Sequence, residues 1–206
     1  MRISKSDKVF FALTNLLRVI FVVFAIYSLI KFNKIHLFFF SVGFILTFLP
    51  EISERIFRIK LPEEFKFIIV AFTFLAFFFG EAYAWYDKFW WWDWLLHGGS
   101  GFLIAPLAFF YLYSIFGKEA KKHPLFVFIF ILFFGLAIGT LWEYFEFTVD
   151  KLFNGTMQKG LQDTMEDLLF DGLGALVIAI LGYIWAKKNI GLNFFVQRFE
   201  ANNQKK

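Results

Sequence analysis

The chain contains no cysteine, which excludes disulfides, thiolate metal sites and a cysteine nucleophile. Charge is scarce too: 18% of its 206 residues are Asp, Glu, Lys or Arg, whereas 59% are hydrophobic and 35 are Phe. A water-soluble domain of this size needs far more polar surface. Basic and aromatic residues are not interleaved as in a base-stacking surface, so the formal net charge of +4 does not point to nucleic acid. H-E-x-x-H, G-x-S-x-G and P-loop motifs are missing, as are the basic and histidine motifs of lipid phosphatases.

What is present is hydrocarbon in long runs. About 20 apolar residues are needed to cross the roughly 30 Å of a bilayer core as a helix. Runs of this kind predict an all-α polytopic membrane protein, a bundle of about six transmembrane helices in one domain covering 1–206. The spans are expected near 9–30, 35–49, 67–85, 94–116, 125–147 and 162–185, followed by a basic tail over 187–206. The second is short, ends at Pro50, and is expected to tilt little or to be partly re-entrant. The first run holds Arg18 and lacks a small-residue cleavage site, so it reads as a retained span rather than a removed signal. Trp85, Trp90, Trp91, Trp92 and Trp94 form an aromatic cluster suited to the headgroup level. In the tail, Phe194, Phe195 and Phe199 are placed to press an amphipathic turn onto the membrane surface.

Basic residues set the expected orientation. Arg2, Lys5 and Lys8, then Arg55, Arg58, Lys60 and Lys66, then Lys118, Lys121 and Lys122, and finally the tail lysines and Arg198 fall on one side. They outnumber Lys31, Lys34, Lys88, Lys151 and Lys159 on the other, so both termini are expected in the cytoplasm of a cell-membrane protein. The acids sort oppositely. Glu81, Asp87, Asp93, Glu143, Glu146, Asp150, Asp163, Glu166, Asp167 and Asp171 all fall towards the outer half, where four spans begin or end.

Helix spacing sharpens this convergence. Glu143, Glu146 and Asp150 recur at i, i+3 and i+7, and Asp163, Asp167 and Asp171 at i, i+4 and i+8, so each set shares one helix face. Asp93, His97 and Ser100 form a third stripe, and glycines on the same segments allow close helix approach. Several carboxylates at close range in a low dielectric must protonate, pair with a cation or bind a metal. Oxygen-rich ligation with a single imidazole suits Mg2+, Mn2+ or Ca2+ better than Zn2+. The expected metal ligands are Glu143, Glu146, Asp150, Asp163, Asp167 and Asp171. His97 is the expected acid/base and Asp93 the residue that orients it. Asp163, Glu166 and Asp167 equally suit plain capping of a helix start, worth about 0.3–1 kcal/mol each.

The pattern supports a divalent-metal-dependent enzyme acting on a lipid-linked or phosphorylated envelope substrate. Alternatives are a non-catalytic membrane scaffold or sensor, and a cation or proton transporter using the carboxylates as a relay. The inner halves of the spans offer little polar path for the last of these.

W-E-x-x-E at Trp142–Glu146, Asp150, Q-x-x-x-x-D-T-x-x-D from Gln158 to Asp167, and D-x-x-G-A from Asp171 to Ala175 resemble the YjdF-type inner-membrane proteins, distantly VanZ-like. The segment from Trp90 to Gly101 resembles the aspartate/leucine/histidine stretch of that group. The likeness covers residues 80 to 180. The VanZ side of it, associated with glycopeptide resistance, implies cell-envelope chemistry.

Overall fold

Start and stop signals agree with the helices they bound. Pro124, whose missing N–H costs nothing in a first turn, opens the helix Pro124–Phe153 (α7), and Asn154 closes it in the left-handed conformation. Asn189 closes Leu161–Lys188 (α8) in the same way, with Lys187 and Lys188 in its last turn. The computed structural model describes residues 5–203, so the expected positive charges at Arg2, Lys205 and Lys206 lie outside the described residues. The other helices are Lys5–Ile30 (α1), Lys34–Leu46 (α2), Leu49–Phe57 (α3), Glu63–Phe74 (α4), Trp85–Lys88 (α5), Trp92–Phe116 (α6) and Asn193–Asn203 (α9). A π-helical stretch, Leu75–Ala82, continues α4, and a 3-10 turn, Gly117–Lys122, follows α6.

Six helical stretches among the described residues are long and apolar enough to cross a membrane: Lys5–Ile30, Lys34–Phe57, Glu63–Ala82, Trp92–Lys122, Pro124–Phe153 and Leu161–Lys188. The second is longer than its sequence suggests. Pro50 does not end it, because it falls in the first turn of α3, where no intrahelical donor is lost. The interruption is instead at Thr47 and Phe48.

The chain divides into two compact units, Met1–Trp92 with Arg198–Lys206, and Asp93–Gln197. In the first, Arg18 lies on the buried face of α1 and exploits the interruption. It donates to the freed Thr47 carbonyl at 2.7 Å and to Glu51 Oε1 at 2.7 Å, with its guanidinium 4.2 Å from the Phe48 ring centre. A charge among apolar helices is thereby paired and hydrogen-bonded. In the same unit Phe21, Phe24, Phe40, Phe74 and Phe78 interlock with one another, with Phe74 stacked on Phe78 at 4.5 Å. Within the same unit Arg198 pairs with Glu64, and Asn203 exchanges hydrogen bonds with the Lys60 backbone. Of the tail phenylalanines, Phe194 is exposed while Phe199 is buried in protein.

In the second unit α6, α7 and α8 pack through glycine. A Cβ on Gly101 would strike the backbone of Asp171 and stand 2.9 Å from Ala175 N. One on Gly174 would strike the Gly98 carbonyl and stand 2.7 Å from Phe102 N. The α6 and α8 backbones therefore touch, which only residues without a side chain permit. At Gly98 the nearest atom to an added Cβ is 3.7 Å away. Gly101→Ala and Gly174→Ala should each destabilise the protein by about 1–3 kcal/mol. Gly98→Ala should be neutral or slightly stabilising. Thermal unfolding in detergent micelles reads the difference, and equal effects at all three positions would refute backbone contact as its cause.

Candidate metal centre

The second unit is polar inside and apolar outside along one stretch. On α7, Tyr144 is 65% exposed and Leu141 61%, whereas Glu143 is 4% and Glu146 6%. On α8, Leu169 and Leu173 face out while Asp167 and Asp171 are buried. The 3.6-residue period turns one face of each helix inward, and here that face carries the carboxylates.

Asp171 lies deepest. Gly101 on α6 and Gly139 on α7 make room for it, since a Cβ on Gly139 would collide with its carboxylate. Its Oδ2 is 3.0 Å from His97 Nδ1, and its Oδ1 accepts the Ser100 hydroxyl, which also lies 2.9 Å from the His97 carbonyl. An imidazole whose Nδ1–H is held by a carboxylate presents the lone pair of Nε2 on its opposite side when neutral.

Three further carboxylates face that Nε2. Asp93 Oδ1 is 3.6 Å away, Asp167 Oδ1 3.9 Å and Glu143 Oε1 4.0 Å. Two of these oxygens, Glu143 Oε1 and Asp167 Oδ1, are buried and have no hydrogen-bond partner. Ligand atoms of Asp93, His97 and Asp167 all lie within 4.8 Å of one another. A divalent ion bound at roughly 2.1–2.4 Å sets neighbouring ligands about 3.0–3.4 Å apart, so small inward side-chain movements would complete a shell.

The remaining acids have other partners. Glu146 Oε1 accepts from Trp142 Nε1 at 2.7 Å. Asp150 sits at the end of α7 and accepts two backbone amides, Met157 N at 2.8 Å and Gln158 N at 2.9 Å. Asp163 accepts Lys159 N at 2.9 Å, and Glu166 accepts Gln162 Nε2 at 2.8 Å. The six expected ligands therefore divide: Glu143 and Asp167 face His97 Nε2, Asp171 holds Nδ1, Glu146 accepts from Trp142, and Asp150 and Asp163 fasten the loop 154–160. Asp93, expected to orient His97, is on the Nε2 side.

That loop brings two side chains that spacing did not single out. Gln158 Nε2 donates to Glu143 Oε2 at 2.9 Å and to the Glu143 carbonyl at 3.2 Å, leaving Oε1 to face the imidazole. Lys159 Nζ is 3.5 Å from Asp93 Oδ2. Gly160, with φ of +125°, makes the turn into α8 that a side chain would strain. The only signal for Gln158 in the sequence is its place at the head of the Q-x-x-x-x-D-T stretch.

Asp150→Ala should leave the Met157 and Gln158 amides without their acceptor, at a cost of about 1–3 kcal/mol. Amide hydrogen exchange at these two positions should accelerate. Unchanged protection would show that Asp150 is not what holds the loop.

The comparisons with known proteins agree with this architecture. A protein of Thermotoga maritima described as "Uncharacterized protein" is 34% identical over 155 residues, covering 73% of this chain and 77% of the relative. No solved structure matches. The profile of the family described as "Predicted membrane protein (DUF2238)" matches residues 13–188. With its six membrane-length apolar helices, the chain is a multi-pass integral membrane protein and belongs to the DUF2238 family.

Proposed function

We propose that Asp93, His97, Glu143 and Asp167 bind one divalent cation, Mn2+ or otherwise Mg2+ or Ca2+, in a membrane enzyme. Its substrate would be a lipid-linked or phosphorylated envelope molecule. The observation that carries this reading is the pair of buried, partnerless oxygens on Glu143 and Asp167, both aimed at the free side of an imidazole held from behind. Buried carboxylate oxygens without partners are costly, and a cation among them removes that cost. A mixed set of one nitrogen and three carboxylates favours Mn2+ over the all-oxygen preference of Mg2+ and Ca2+. Asp171 fits the partner that fixes the tautomer of a metal-bound histidine. A cation held there would polarise a phosphoryl oxygen or lower the pKa of a bound water. The substrate class rests on the VanZ-like motifs read in the sequence over residues 80 to 180.

A scaffold or sensor reading draws on a different observation: Asp150 and Asp163 bind backbone amides, and Asp171 joins α8 to α6. Metal binding separates the two. Purified protein should bind Mn2+, and at a hundredfold excess over Kd the bound ion should stabilise it by about 2.7 kcal/mol. Glu143→Gln and Asp167→Asn should each reduce affinity by at least tenfold, and Asp171→Asn by about 10–100-fold through loss of orientation. Binding read by calorimetry and metal content that these variants leave intact would remove the proposal.

A further inference from the structure

Resting on the cation site just proposed, we infer that the Lys159 ammonium is a resident counter-cation of that site, which a divalent ion must displace from Asp93. Lys159 therefore sets the preference of the site for divalent over monovalent ions.

The loop that delivers Lys159 is fixed at both ends. Asp150 takes the Met157 and Gln158 amides on the α7 side, and Asp163 takes the Lys159 amide on the α8 side. Gln158 is hydrogen-bonded to Glu143, one ligand of the set, and Lys159 Nζ stands 3.5 Å from Asp93 Oδ2, a second. The backbone anchors do not depend on either of these side-chain contacts. The Lys159 side chain can therefore leave Asp93 while the loop stays in place.

Charge decides the exchange. Asp93, Glu143, Asp167 and Asp171 surround one imidazole, and the ammonium supplies a single compensating charge at the outer edge of the group. The Asp93 side chain is 13% exposed, so its attraction for a cation is weakly screened, while Lys159 at 42% has water to retreat into. A monovalent ion taking the place of the ammonium adds no charge, and must in addition lose its hydration. A divalent ion adds one net charge to a group that lacks it. Its gain is greatest at the partnerless oxygens of Glu143 and Asp167, which the ammonium does not reach in this arrangement.

Two measurements on the full chain in detergent micelles test this. The first is Mn2+ affinity with and without 100 mM NaCl added. Removing a competing positive charge by Lys159→Met or Lys159→Gln should raise Mn2+ affinity roughly tenfold and make it fall on addition of Na+, whereas Lys159→Arg should behave as the wild type. Affinity that is unchanged or lower in both neutral variants overturns the inference.

The second measurement needs no variant. Acetylation of Lys159 by an amine-reactive ester, followed by mass spectrometry, should accelerate severalfold when Mn2+ is added and not when Na+ is added. Lys151, which lies over the Phe147 ring, should react at one rate throughout. Slower or unaltered reaction of Lys159 with Mn2+ also overturns the inference. Wild-type protein that binds no Mn2+ at all would instead remove the metal centre itself, and that outcome is distinct from both of these.

Discussion

A carboxylate in the position of Asp171, 1% exposed between helices whose outer faces are hydrocarbon, has no water to solvate it. It keeps its place because His97 and Ser100 both turn towards it, and because Gly101 and Gly139 yield the space. The arrangement around the imidazole is built on that pairing. With Nδ1 engaged, the imidazole ring has a fixed plane and its other nitrogen a fixed direction, and the oxygens of Asp93, Glu143 and Asp167 are disposed around it. Loss of the pairing would free the ring and remove the reference point for the three others.

The same economy governs the first unit. Arg18 has been taken out of the apolar surroundings of α1 by an interruption between α2 and α3 that frees a backbone carbonyl, with Glu51 neutralising it. Both units therefore turn polar groups inward and present Phe, Leu, Ile and Val to the outside. Where the bilayer is the solvent, hydrophobicity does not hold such helices together. Glycine contacts, hydrogen bonds and buried charge pairs do that work.

The spans were legible in the sequence because length and hydropathy alone decide them. The acidic faces were legible because 3.6-residue spacing is a property of the helix, not of its partners. Pro50 has a local reason for reading as a stop, since a proline after an apolar run usually ends a helix; in the fold it lies in the first turn of a new one that starts at Leu49. The division of labour within the group was not legible. Asp150 and Glu143 share a stripe, yet one lies near the end of α7, where loop amides are available, and the other about two turns deeper. Spacing also suggested the neighbour at i−4, Asp93, as the partner of His97. The residue at Nδ1 comes from 74 positions away, a distance that only folding closes. Lys159 and Gln158 take their places from a loop conformation that depends on Asp150 and Asp163, so no periodic pattern announces them.

The origin of the buried group in three successive helices has a consequence for how the protein enters its membrane. After α7 has emerged, Glu143 and Glu146 are on a helix with mostly apolar neighbours, while Gln158, Lys159 and Asp171 have yet to be made. The loop between α7 and α8 is short, and Asp150 at one end and Asp163 at the other close it with backbone hydrogen bonds that need neither α6 nor the bilayer. The two helices are thus able to pair as an antiparallel hairpin with Gln158 already on Glu143. Docked as one piece against the glycine face of α6, the hairpin would spare each helix a separate crossing with its acids uncovered.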